Sequence, residues 1–448
     1  MPDGETDEGA VMRRTSVRVC GRKFAASVLA AGTVVGPAVG PAAAADSIRE
    51  QQWHLDAMKA SEIWKISKGQ GVTVAVIDSG FKSDHPDLVG QLLPGRDFSG
   101  IPGGAGTYTE SHGTEMAALV VGSGKGLGGN GAYGLAPGAK VLPIKIRNND
   151  NSAGVSTSEF LKQINQGIIY AADHGAKIIS VSQAGSASGT SVQDLDDLKA
   201  AVAHANAKGS LVVAGVGNSA QAGNPVKYPA AIPGVIGVGA VDRSGTVTAE
   251  SEQGPQVDLA APGAEIFNAC TGPSGYCKGH GTSNSTAIVA GSAALLWAVH
   301  PEWSANQVVR VLINTAGKPT DGSDRNDIVG YGIVRPRVAL TEPGDPGPAD
   351  VYPIPEQPVG ESSPAPSSPA PSSAVPAVPV SPSGSSGVPG EGKAADEAAG
   401  SGGVVPVVAA VVGGLVLVAG GVAFVVVRRR SARPGVAPLP PSDNPYVR

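Results

Sequence analysis

The sequence predicts an α/β fold, with a mainly parallel sheet covered by helices on both faces. Short β-branched runs alternate with longer helical stretches, which is the pattern of a parallel sheet. The folded region, residues 46–340, is roughly 295 residues long and fits one large α/β domain. The first strand is expected at 72–77 (VTVAVI), followed by a helix at 112–121. A strand at 141–146 (VLPIKI) leads to a helix at 159–172, and a strand at 178–181 (IISV) to a helix at 194–208. Strands at 211–213 and 235–241 complete the set, and residues 282–299 form the most apolar helical stretch of the region. Ligands on such sheets bind beyond the carboxyl ends of the strands, so the chemistry belongs just after them.

Composition excludes several classes. The net charge of −5 argues against a broad basic surface for nucleic acid. Three Cys in 448 residues exclude a disulfide-dense scaffold or a multi-Cys zinc module. The 63 Gly and 37 Pro are unevenly spread, so the chain is a mosaic.

Both ends carry targeting signals. Arg13, Arg14, Arg18, Arg22 and Lys23 precede an apolar run at 24–39, and Pro41-Ala42-Ala43-Ala44-Ala45 follows. This reads as a secretory signal peptide, residues 1–45, cleaved after Ala45; the alternative is a membrane helix, which Gly32, Gly36 and Pro37 disfavour. Residues 403–427 are uncharged and run straight into Arg428, Arg429 and Arg430. That length spans a bilayer with tilt, and the arginines set 428–448 as a cytoplasmic tail. Between lie residues 341–402, with 14 Pro among Ser and Ala, expected to be an extended linker. Residues 46–69 form a short N-terminal extension, with Trp53, Leu55, Met58, Ile63 and Trp64 packed on the surface of the domain at 70–340. The expected location is the cell membrane, with one pass and the domain outside.

Three residues sit where chemistry belongs. Asp78 ends the first strand in Val76-Ile77-Asp78-Ser79-Gly80. His112, in Ser111-His112-Gly113-Thr114, and Ser283, in Gly281-Thr282-Ser283, both start helices. A serine there is close to free backbone N–H groups that stabilise an oxyanion. Asn218 adds an amide beyond another strand. Each residue alone is more often a cap or turn former. Together, in the order Asp, His, Asn, Ser, they match the chain order Asp, His, Ser of subtilisin.

These motifs resemble the subtilases, the subtilisin-like serine proteases. His85-Pro86-Asp87-Leu88, Gly134-Leu135-Ala136-Pro137-Gly138, Tyr228-Pro229-Ala230 and Ala261-Pro262-Gly263 extend the match from about residue 70 to 300. With the signal peptide, linker and C-terminal membrane run, the chain resembles the mycosins, membrane-anchored subtilases of type VII secretion. The resemblance implies a subtilisin-like three-layer domain. It implies Ser283 as nucleophile, His112 as acid–base, Asp78 as its orienter and Asn218 in the oxyanion hole. It also implies that Ser182-Gln183-Ala184 and Ala214-Gly215-Val216 line the primary specificity pocket. Asn284-Ser285-Thr286-Ala287 lacks the family's frequent Pro, and Gln183 replaces a commonly apolar residue.

The expected partners are a protein or peptide substrate, the membrane and type VII machinery, with no nucleic acid. No cofactor and no metal are expected. Cys270 and Cys277 remain after signal removal, and an exported even pair favours a disulfide over two free thiols. Gly126-Leu127-Gly128-Gly129-Asn130-Gly131 has dinucleotide-motif spacing but no preceding strand, and reads as a flexible surface loop. His85 and His174 read as surface or capping residues. The competing reading of function is structural: a subtilase-like domain that braces a secretion complex, with proteolysis dispensable.

Overall fold

The computed structural model describes residues 47–147 and 154–355. The strands, in chain order, are β1 (Thr73–Asp78), β2 (Arg96–Asp97), β3 (Lys140–Lys145), β4 (Ile178–Val181), β5 (Gly185–Ser186) and β6 (Leu211–Gly215). They continue with β7 (Lys227–Tyr228), β8 (Val235–Val241), β9 (Leu259–Pro262), β10 (Ile266–Ala269) and β11 (Tyr276–Gly279). The helices are α1 (Ile48–Gln51), α2 (Trp53–Ala57), α3 (Ala60–Ile63), α4 (His112–Val121) and α5 (Gly126–Gly129). Then come α6 (Thr157–Asp173), α7 (Val192–Ala207), α8 (Thr282–Val299), α9 (Ala305–Asn314) and α10 (Pro336–Thr341).

Seven strands form one parallel sheet in the order β2-β3-β1-β4-β6-β8-β9. The chain runs outward from β1 to β3 and returns to the other side of β1 with β4. The strand order therefore reverses at β1, where a crevice opens at the carboxyl ends. Side chains alternate across the sheet. Val74, Val76, Leu211 and Val213 pack into one core with α4 and α8, whereas Ala75, Ile77, Val212 and Ala214 pack into a second with α6 and α7. Both faces of the sheet are buried, which is why the strands read as continuous apolar runs. Each fully buried Val, Ile or Leu contributes roughly 1.5–3 kcal/mol of transfer free energy. The architecture is that of a three-layer α/β domain.

The helices start at sequence-encoded caps. Ser191 and Asp194 form a reciprocal capping box at α7, as do Ser304 and Gln307 at α9, and the Ser156 side chain accepts from Glu159 N–H at α6. α8 is buried along nearly its whole length, which explains its all-round apolar character. It crosses under β4, β6, β8 and β9 and delivers its first turn to their carboxyl ends.

Three expectations are corrected. Residues of the N-terminal extension are core rather than surface cover: Leu55, Met58 and Ile63 are buried in the α4–α8 core. Backbone carbonyls fix this segment, with Trp64 Nε1–H donating to Leu135 O (2.9 Å) and Trp53 Nε1–H to Ala264 O (3.1 Å). The folded part also runs past residue 340. Arg310 on α9 donates to the carbonyls of Pro346, Pro348 and Val351, and Ser304 Oγ donates to Ala349 O. Lastly, His85 is buried and the glycine-rich loop is built around a buried carboxylate. Gly126 N–H and Ala132 N–H donate to Asp87 at 2.7 and 2.9 Å, and His85 Nε2 bonds Gly275 O at 2.9 Å. Turning its backbone donors onto Asp87 keeps that carboxylate satisfied out of water.

No described helix is long and apolar enough to cross a membrane. The expected signal peptide and the run 403–427 lie outside the described residues, as do the tail and the linker beyond residue 355.

Candidate active site

Asp78, the last residue of β1, is fully buried. Its Oδ1 accepts from Ser79 N–H (2.7 Å) and Ser79 Oγ–H (3.2 Å). His112 is the first residue of α4, and its Nδ1 lies 2.8 and 2.9 Å from the two Asp78 oxygens. The carboxylate has only acceptors, so Nδ1 carries the proton and Nε2 is left as the base. Gly113 makes this approach possible, because a Cβ there would overlap the Gly80 carbonyl and crowd Asp78 Cβ at 3.1 Å.

Electrostatics tune the imidazole. Burial pushes its pKa down, but the Asp78 carboxylate pushes it up through charge and a hydrogen bond, helped by Glu110 and Glu115. The carboxylates win, and the pKa is raised to about 9.

Ser283 is the second residue of α8 and is 8 % exposed. The turn before it needs glycine: Gly281 has φ of 117°, and a Cβ there would stand 2.9 Å from Asn218 Nδ2. Thr282 N–H donates to Asn218 Oδ1 at 2.9 Å. That bond uses the carbonyl end of the amide and leaves the NH2 end as the donor.

One open cavity of about 380 Å³ brings these groups together. His112, Asn218, Ser283, Ser182, Gln183, Ala184 and Gly215 line it. Ala214 and Val216, expected there as well, are buried in the α6–α7 core instead. Strand alternation is the reason, since residues 214 and 216 share the face opposite to 215. Gln183 turns toward the Asp–His pair, with Nε2 3.2 Å from Asp78 Oδ1 and 3.3 Å from His112 Nδ1. Sequence reasoning did not identify Glu110, Ser219 or Lys227, which also line the cavity, and named Gly217 only within the Gly217-Asn218 motif. Gly217 was legible as the neighbour of Asn218, whereas Lys227 arrives through the non-local pairing of β7 with β5.

Cys270 and Cys277 form a disulfide across the β10–β11 hairpin. The hairpin is tied to the site by Thr271 N–H, which donates to Ser111 Oγ at 3.0 Å. The hairpin therefore braces the residue before His112.

The model of the subtilase family matches residues 69–332. Thermitase from Thermoactinomyces vulgaris is 36% identical over 274 residues, spanning 60% of this chain and 89% of thermitase. Mycosin-1 from Mycolicibacterium smegmatis is 29% identical over 334 residues, spanning 65% of this chain and 73% of the mycosin. A crystal structure of MycP1 from the ESX-1 type VII secretion system superposes with a TM-score of 0.58 at 26% identity, covering 69% of this chain and 90% of MycP1. A family match over more than half the chain, on the fold described above, makes this protein a member of the subtilase family of serine proteases.

Proposed function

We propose that the chain is a membrane-anchored, extracytoplasmic endopeptidase acting through Asp78, His112 and Ser283. The observation that carries this reading is the buried Asp78 bonded to His112, which shares one cavity with Ser283. Ser283 Oγ attacks the scissile carbonyl while His112 Nε2 takes its proton. The Asp78 carboxylate holds the ring in the Nδ1–H tautomer and stabilises the imidazolium that forms. Asn218 Nδ2–H and the Ser283 backbone N–H receive the oxyanion, each such donor being worth ~3 kcal/mol of barrier. The imidazolium returns its proton to the leaving amine, and water then hydrolyses the acyl-enzyme by the same steps in reverse order.

The signal peptide and the run 403–427 would hold the domain outside the membrane on a Pro-rich linker, with the tail inside. Likeness to mycosins, including MycP1 from the ESX-1 system, supports service to a type VII machinery through processing of exported proteins. Likeness to a chain of the periplasmic assembly of the ESX-5 inner membrane complex supports a second reading, in which the domain braces such a complex and proteolysis is dispensable.

The test uses the full chain with a fluorophosphonate probe, beside Ser283→Ala. Labelling of the parent alone is expected; a folded parent that takes up no probe defeats the catalytic reading. Secretion that persists in a Ser283→Ala strain would give first place to the bracing role.

A further inference from the structure

Lys227 stands out in the cavity that holds His112 and Ser283. It lies on β7, which pairs with β5 in the register Ser186↔Lys227, directly after the cavity-lining segment Ser182-Gln183-Ala184. Its stem runs beside Gly217, where an added Cβ would come within 2.7 Å of Lys227 Cγ. It is half-buried, and no carboxylate of the described residues comes within 4.0 Å of its Nζ. The rest of this wall is small and uncharged: Ser182, Ala184, Gly215, Gly217 and Ser219.

We propose that Lys227 makes the primary pocket select a substrate with an acidic side chain, Asp or Glu, on the acyl side of the scissile bond. This rests on the reading of Ser283 as the nucleophile. An ammonium carried by a half-buried residue on the cavity wall attracts a carboxylate and rejects a cation. The small side chains leave room for a three- or four-atom acidic group above it. Two other titratable groups line the same cavity, and two more are buried next to it. His112 and Glu110 line the catalytic end of the cavity, with Asp78 buried behind His112. Glu252 is the opposing group on the Lys227 side. It is buried behind Gly217, its Oε1 accepts from Ser219 N–H at 3.2 Å, and its Oε2 has no hydrogen-bond partner among the described residues. Burial pushes its acid up to about 7, against the pull of Lys227. Below about pH 7 this carboxyl is mostly protonated and leaves the lysine charge to the substrate, so the preference is read there.

The test compares kcat/KM of the full chain on peptide p-nitroanilides that differ only in the last residue: Glu, Gln, Phe or Lys. Glu is expected to exceed its neutral isostere Gln by on the order of tenfold or more, and Lys to be poorest. Lys227→Met keeps the stem and should bring Glu and Gln together; Lys227→Glu should raise Lys above Glu. Fluorophosphonate labelling of Ser283 in each variant reports that the site is still formed. The Glu-to-Gln ratio should also fall as salt rises. Equal rates for Glu and Gln in the parent, or a ratio unchanged in Lys227→Met, overturn the proposal while leaving the protease reading intact. A chain that cuts none of the four and takes up no probe removes the catalytic reading itself, and this proposal with it.

Discussion

Raising the pH should increase activity and lower stability at the same time, through one residue. The His112 pKa is raised to about 9, against an ordinary value of 6.5. Only the neutral imidazole accepts the serine proton. At pH 7 about one molecule in a hundred then has the free base, and at pH 9 about half do, so kcat/KM should rise about fiftyfold between them. An ordinary histidine would give less than about twofold over the same range. The sign for stability is opposite. A folded pKa above the unfolded one means that the folded state binds the extra proton. That contribution is fully present below pH 6.5 and is lost as pH rises to about 9. The shift corresponds to at most about 3 kcal/mol, and the 27 % exposure of the His112 side chain trims it further. Two measurements check this. One is kcat/KM on a peptide substrate from pH 5 to 10.5; the other is thermal unfolding of Ser283→Ala over the same range, with and without His112→Gln. His112→Gln should flatten the stability slope between pH 6.5 and 9. Glu115→Gln, which removes one of the carboxylates acting on the ring, should move the activity limb to lower pH. An activity limb centred at or below pH 6.5, or one that Glu115→Gln leaves in place, refutes the electrostatic account.

Asn218→Ala should lower kcat by about 10²–10³ with KM little changed, because its amide meets charge that exists only in the transition state; a loss confined to KM would contradict that role. Leu55→Ala should cost about 2–5 kcal/mol in denaturant unfolding, since Leu55 is fully buried in the α4–α8 core. A change below about 0.5 kcal/mol would return the N-terminal segment to the surface. Asp258→Asn should stabilise the protein at pH 8 and have little effect at pH 4. Burial pushes the Asp258 acid up to about 7, offset by Gly237 N–H and Arg325, so the wild type loses stability as pH rises from about 4 to 7. Melting curves at the two pH values decide it, and equal shifts at both would show that packing rather than charge is responsible.

What was legible in the sequence was local. Asp78, His112, Asn218 and Ser283 each lie in a short glycine-bearing motif at the end of a strand or the start of a helix, and a parallel sheet gathers such ends at one edge. Four motifs far apart in the chain therefore point to one cavity without any knowledge of packing. The residues that escaped depend on distant pairing or on parity. Lys227 enters the cavity only because β7 pairs with β5, and nothing in Val226-Lys227-Tyr228 announces that neighbour. Ala214 and Val216 were within reach of sequence reasoning, for once Val212 and Ala214 share the α6–α7 core, Gly215 must face the other way.

The C-terminal boundary was missed for a chemical reason. Proline removes a backbone donor but keeps its carbonyl. A Pro-rich segment therefore cannot join a sheet ladder from both sides, yet it remains a strip of acceptors. Arg310 supplies the donors, reaching three carbonyls between Pro346 and Val351 from its half-buried position on α9. The same composition that rules out a core of its own thus permits a docked irregular segment, and the boundary of the domain is set by the arginine rather than by the first proline.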